Sequence, residues 1–110
     1  MQLNKTIWVL EDDPSQKFVF EEILGMRYET KFFDSLQSFS EQMDHLPETL
    51  PNLVLADLRL PDGNFLNYIS TNSHEFFLTH PLMIVSSMDD LDVLRSCFAS
   101  GAHDYLTKPF

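Results

Sequence analysis

The chain has 110 residues, 44% of them hydrophobic, which suits one domain with its own core and argues against disorder. Seventeen acidic residues against seven basic ones give a formal charge of −10. The Lys and Arg that phosphate backbones and anionic membranes require are therefore scarce, which excludes direct nucleic-acid or membrane binding as a function class. The acidity favours basic partners or divalent metal, or serves solubility alone. Cys97 is the sole cysteine, so no internal disulfide forms, a reducing compartment is expected, and the residue reads as a small packed side chain. Met1 to Lys5 is polar, the run Ile7 to Leu10 is too short for a signal peptide, and no stretch approaches the roughly 18 apolar residues of a membrane span. The expected location is cytoplasmic.

Ile7-Trp8-Val9-Leu10 reads as a buried strand, closed by three acids and by Pro14, which suits a first helical turn. Ser15 to Leu24 carries a wide apolar face (Phe18, Val19, Phe20, Ile23, Leu24), and Gly25 is a helix stop. Tyr28 to Phe33 reads as a second strand, followed by a helix capped by Asp34 or Ser35, with Leu36, Phe39, Met43 and Leu46 apolar. Leu53-Val54-Leu55-Ala56, ending at Asp57, is apolar on both faces, as in the middle of a covered parallel sheet. Leu60 to Asn64 is turn chemistry, and a helix follows through Phe65, Leu66 and Ile69 until Thr71-Asn72-Ser73 interrupts it. His74 to His80 has no assigned structure. Leu82 to Val85 is a fourth strand, ending at Ser86-Ser87. Asp89 or Asp90 opens a helix with Leu91, Leu94 and Phe98 on its apolar face, Gly101 stops it, and Asp104 to Thr107 is a fifth strand. Strand and helix thus alternate four times before a last strand, which predicts a doubly wound α/β sheet with right-handed crossovers.

In such sheets ligands bind outside the carboxyl ends of the strands. Glu11, Asp12 and Asp13 follow the first strand, Asp57 ends the third, Ser86 ends the fourth and Lys108 follows the fifth. Carboxylates gathered there repel one another unless a cation sits among them or some protonate, and an oxygen-only donor set selects a hard ion such as Mg²⁺. A carboxylate can attack phosphorus to form an aspartyl phosphate. Mg²⁺, the Lys108 ammonium and the Ser86 hydroxyl would then each take one phosphoryl oxygen. Each residue alone has an ordinary reading as a helix cap, turn residue or surface lysine; their joint placement points to a site.

The same residues carry a family likeness. Leu10-Glu11-Asp12-Asp13-Pro14, the run Leu55 to Gly63, Pro81 to Ser87 and Gly101 to Phe110 together resemble a response-regulator receiver domain of two-component signalling over nearly the whole chain. The resemblance implies a CheY-like, five-stranded parallel sheet in flavodoxin-like order 2-1-3-4-5. It makes Asp57 the phosphoryl acceptor, with Asp12 on Mg²⁺ directly, Glu11 through water, and the Arg59 backbone carbonyl as a further ligand. Asp13 would be a third, less essential acid. Lys108 would contact the phosphoryl group, with a cis Lys108–Pro109 bond. Ser86 and Tyr105 would form the switch, presenting the face around the fourth helix and fifth strand to a downstream output domain or target. A sensor histidine kinase or phosphotransfer protein would be the donor.

The sequence departs from the family at three points. Receiver domains carry a fifth helix after Lys-Pro-Phe, and this chain stops at Phe110. Residues 1–110 are accordingly read as a receiver domain truncated after the fifth strand, with one sheet face beside the first helix partly bare and prone to association as a homodimer. Ser87 stands where the family has Ala or Gly, and Arg59 and Met88 would flank the site, with bulk that would slow the attack of water. The alternative function is a degenerate receiver that binds partners without phosphorylation, against which the full set Glu11, Asp12, Asp57, Ser86 and Lys108 argues. A Mg²⁺-dependent phosphohydrolase would need its nucleophile at the end of the first strand, where Pro14 takes the place of the general acid counted from Asp12. A flavodoxin-like cofactor binder would need a phosphate loop there. The four histidines have no ligand spacing and read as surface or boundary residues.

Overall fold

A computed structural model of the chain describes residues 5–71, 75–87 and 91–108. Its strands are β1 (Thr6–Leu10), β2 (Glu29–Phe33), β3 (Leu53–Ala56), a two-residue ribbon β4 (Arg59–Leu60) and β5 (Gly63–Asn64), β6 (Leu82–Ser86) and β7 (Asp104–Thr107). Its helices are α1 (Pro14–Leu24), α2 (Leu36–Asp44), α3 (Phe65–Thr71), α4 (Phe76–Thr79) and α5 (Leu91–Ala99). The five long strands form one parallel sheet in the order β2-β1-β3-β6-β7, which is 2-1-3-4-5 counted along the chain without the ribbon. This is the doubly wound, flavodoxin-like arrangement expected from the alternation of elements.

Side-chain alternation along the strands separates two cores. Trp8, Leu10, Val54, Ala56, Leu82 and Ile84 point to one face and pack with Phe39 of α2, Phe65 and Ile69 of α3, Phe77 of α4 and Cys97 of α5. Ile7, Val9, Leu55 and Val85 point to the other face, which among the described residues is covered by α1 through Phe20 and Leu24. Among the described residues, that one helix leaves part of the face uncovered. An apolar groove of about 250 Å³ runs there, walled by α1 residues Ile23 and Leu24, the sheet residues Leu55, Met83 and Val85, and Leu106 of β7.

Three local expectations need correction. The stretch His74 to His80, left unassigned, contains α4, so the crossover from β3 to β6 holds two helices and the described residues hold five in all, not four. The short helix forms because Phe76 and Phe77 stack into the aromatic core, Phe76 on Trp8 and Phe77 on Phe39. Next, β2 begins at Glu29, because the Tyr28 amide closes the end of α1 on the Leu24 carbonyl. Finally, α5 does not bury Leu91 and Phe98, which are 59% and 49% exposed, but Cys97, with Val93 half-buried one turn earlier. The helix carries two apolar stripes, and the i, i+4 pair Val93 and Cys97 fits the sheet. Asp89 and Asp90, read as caps of this helix, lie outside the described residues, as do His74, Met88 and the Lys108–Pro109 bond.

Burial pushes the Cys97 thiol above its ordinary pKa, in keeping with a packing role. His45 and His103 are exposed, and His80 is half-buried and stacked on Phe76. No described helix is long and apolar enough to cross a membrane.

Candidate functional site

Backbone bonds that extend the sheet beyond its strands fix the candidate residues at its carboxyl edge. The Glu11 amide donates to the Phe33 carbonyl of β2 (2.9 Å), the Asp57 amide to the Leu10 carbonyl of β1 (3.1 Å), and the Lys108 amide to the Ser86 carbonyl of β6 (2.8 Å). Each residue directly after a strand is thus registered on its neighbour, and three side chains from separate parts of the sequence converge.

Glu11, Asp12 and Asp57 each offer a carboxylate oxygen, and these oxygens lie within 4.8 Å of one another. Glu11 is buried, Asp57 half-buried and Asp12 exposed. The Lys108 ammonium joins them, with Nζ 2.6 Å from Glu11 Oε1 and 3.0 Å from Asp57 Oδ2. The second Glu11 oxygen accepts from the amides of Asp12 (3.1 Å) and Asp13 (3.3 Å), which hold the acidic turn in shape. Asp13 stands apart from the trio: its Oδ1 accepts from the Ser15 amide at 2.9 Å and caps α1, with Pro14 in the first turn.

The electrostatics follow from this crowding. Burial raises the Glu11 carboxyl above its ordinary pKa, the hydrogen bond and charge of Lys108 pull it back in part, and the Asp57 charge pushes it up further. Burial alone would lower Lys108, but hydrogen bonds and charges from Glu11 and Asp57 outweigh it and hold the ammonium above its ordinary value. An oxygen-only donor set with one buried acid strained toward protonation fits a hard divalent ion, which would relieve the repulsion that one shared lysine leaves.

Of the remaining candidates, Arg59 opens β4, and its amide donates to Asp57 Oδ1 at 3.3 Å. Ser86 ends β6, is 2% exposed and pairs in register with Thr107. Tyr105, two residues earlier in β7, pairs with Ile84 and packs half-buried against the larger core. Ser87 is exposed. The structure therefore brings Glu11, Asp12, Asp57 and Lys108 together, with Arg59 beside Asp57, Ser86 on the Lys108 strand pair and Tyr105 flanking it.

Sequence reasoning missed the contact that Asp62 makes. It reads in sequence as part of a turn, yet its Oδ1 accepts from the Leu36 amide (2.8 Å) and its Oδ2 from the Gln37 amide (2.9 Å), across to the start of α2. These amide bonds, the Leu36 one foremost, hold its carboxyl below the ordinary pKa. No local signal names a partner so distant in sequence.

The sheet order, the acidic trio at its carboxyl edge and the lysine after the last strand define a class of signalling domain. The response regulator receiver domain family matches residues 7–110, and the chain belongs to it. It is 33% identical over 108 residues to the DNA-binding transcriptional regulator NtrC of Klebsiella pneumoniae, a match covering 94% of this chain and 21% of that protein. It resembles the CheY-like receiver domain protein of Methanospirillum hungatei with a TM-score of 0.82 at 22% identity, over 99% of this chain and 84% of that one. The beryllofluoride-activated NtrC4 receiver domain dimer gives a TM-score of 0.80 at 20% identity, over 97% and 86%. These two structures speak for the fold. The chain spans about a fifth of the NtrC relative's length.

Proposed function

We propose that this receiver domain is a phosphorylation switch in which Asp57 accepts a phosphoryl group from a histidine-bound donor on a sensor kinase or phosphotransfer protein. The observation that carries the reading is the convergence of carboxylate oxygens of Glu11, Asp12 and Asp57 within 4.8 Å of one another, with the Lys108 ammonium on Glu11 and Asp57. A carboxylate oxygen of Asp57 attacks phosphorus, the bond from phosphorus to the donor imidazole nitrogen breaks, and its electron pair leaves with the imidazole. Asp12, Asp57, the Arg59 carbonyl and, through water, Glu11 would hold Mg²⁺, which would supply charge neutralisation for the transferred group. Lys108 moves its ammonium from Glu11 to a phosphoryl oxygen, and the Ser86 hydroxyl donates to another.

The switch then runs through β6 and β7. Ser86 turns toward the phosphoryl group, Tyr105 moves inward, and the face around α5 and β7 changes. That face carries exposed Leu91 and Phe98, apolar side chains suited to a protein partner. The partner is an output domain or target protein, and the NtrC relative, a DNA-binding transcriptional regulator, makes a transcriptional output the leading form. A homodimer is a second mode of assembly, supported by the dimeric NtrC4 receiver. Working beside a kinase's catalytic domain, the protein would act in the cytoplasm. The test is Mg²⁺-dependent binding of beryllofluoride, followed through Trp8, whose ring lies in the aromatic core beside Phe33 and Phe39. Saturable binding lost in Asp57→Asn supports the reading; a folded protein that binds none in Mg²⁺ counts against it and favours the degenerate receiver.

A further inference from the structure

The ribbon of β4 and β5 leaves Asp57 and returns to α3 within a few residues, and it is fastened at three points. Leu58 accepts the Phe65 amide at 2.9 Å, Asn64 Oδ1 caps α3 through the Leu66 amide at 2.8 Å, and Asp62 grips α2 with both carboxylate oxygens. The third fastening is the unusual one. Helix α2 already has a local cap, since Ser35 Oγ accepts from the Ser38 amide at 3.0 Å. Asp62 takes the two amides before it, Leu36 and Gln37, from the far side of the site loop. Contact there is close: Gly63 has φ +151°, and a Cβ at that position would meet Leu36 Cδ1 at 3.0 Å. The turn Pro61-Asp62 is thus pressed onto the start of α2, while the other end of β4 is Arg59, hydrogen-bonded to Asp57.

We propose that Asp62 is a positioning residue of the cation site: its two-pronged bond to Leu36 and Gln37 holds the ribbon against α2, and through the ribbon keeps Arg59, whose amide meets Asp57 Oδ1, in place beside Asp57. The inference rests on the Mg²⁺ reading given above. It treats Asp62 as an outer support for a metal ligand, of the kind whose loss weakens metal binding without touching the metal. It also makes the coupling reciprocal, so that Mg²⁺ binding tightens the ribbon's hold on α2.

The test is a Mg²⁺ titration of the full 110-residue chain, read from the amide chemical shifts of Asp57 and Arg59, in wild type, Asp62→Ala, Asp62→Asn and Ser35→Ala. Ser35→Ala removes a cap from the same helix end without touching the ribbon. The expected result is Mg²⁺ affinity about tenfold weaker in Asp62→Ala, an intermediate loss in Asp62→Asn, and Ser35→Ala within about twofold of wild type. Equal effects of Asp62→Ala and Ser35→Ala, or none from either, overturn the proposal and leave Asp62 a helix cap. Should Asp62→Ala not fold, Asp62→Asn against Ser35→Ala decides in the same way. In the unaltered protein, Mg²⁺ should slow hydrogen exchange at Leu36 and Gln37, and unchanged exchange at saturating Mg²⁺ counts against the coupling. A wild-type chain that binds no Mg²⁺ removes the metal reading itself and this inference with it.

Discussion

The Lys108 ammonium lies closer to Glu11 (2.6 Å) than to Asp57 (3.0 Å), so without a metal the lysine is held mainly by the buried acid. The pair ties β7 to β1 across the sheet edge. Lys108→Met would leave Glu11 buried and unpaired beside Asp57, and we expect it to cost about 3 kcal/mol near neutral pH. The pH dependence has a definite sign. A carboxyl whose folded pKa is raised binds protons more readily in the folded state, so its contribution to stability falls as pH rises from 4.5 through the folded value. Removing Lys108 raises Glu11 further, so the loss should be larger at about pH 8 than at about pH 5 in urea unfolding. Equal losses would mean that Glu11 does not depend on Lys108.

Asp62 gives the opposite slope. Its carboxyl is held below the ordinary 3.8, so its contribution is present above that pH and is lost as pH falls through the lowered folded value. The stability gap between wild type and Asp62→Asn should therefore be full at neutral pH and close in acid. Circular dichroism of both proteins across the acid range measures it.

The aromatic core should be intolerant at its centre. Phe39 is fully buried and meets the rings of Trp8, Phe33, Phe65, Tyr68 and Phe77. Phe39→Ala is expected to cost about 3–5 kcal/mol, a large share of a small domain's stability. Phe18→Ala, at a position 61% exposed, should cost no more than about 0.5 kcal/mol. Denaturant unfolding distinguishes the two.

The groove beside α1 should make the 110-residue chain self-associate, because an apolar surface that no described residue covers seeks a partner. Ile23 is on its wall and 54% exposed. Ile23→Asp should shift sedimentation toward monomer with little change in Mg²⁺ binding. A wild-type chain that is monomeric at high concentration would show that the groove is tolerated open.

Ser86 is expected to act in transfer and not in metal binding. Ser86→Ala should leave Mg²⁺ affinity near wild type and slow phosphorylation by a small-molecule donor about a hundredfold, the usual loss for one donor to a charged oxygen. Rapid-quench kinetics at saturating Mg²⁺ reads the difference.

Much of this was legible in the sequence where a local pattern carried it. The apolar runs Ile7 to Leu10 and Leu53 to Ala56 read as buried strands, and the alternation of strands and helices placed Glu11, Asp12, Asp57 and Lys108 on one edge. The family likeness supplied the strand order. What stayed hidden depended on packing between distant segments. The α4 turn exists because Phe76 and Phe77 find Trp8 and Phe39, which no window of sequence reveals. On α5, two apolar stripes compete, and only the sheet decides for Cys97 over Phe98. The Asp62 grip on α2 likewise joins residues with no pattern in common.

The acceptor role of Asp57 can be tested directly. The most direct measurement is to incubate the chain with Mg²⁺ and acetyl phosphate and map any hydroxylamine-labile phosphoryl adduct by peptide mass spectrometry. An adduct on the peptide containing Asp57, lost on chelating Mg²⁺ and in Asp57→Asn, is the predicted result. A folded, Mg²⁺-binding chain that forms no adduct, or one that carries it on another residue, would contradict the account.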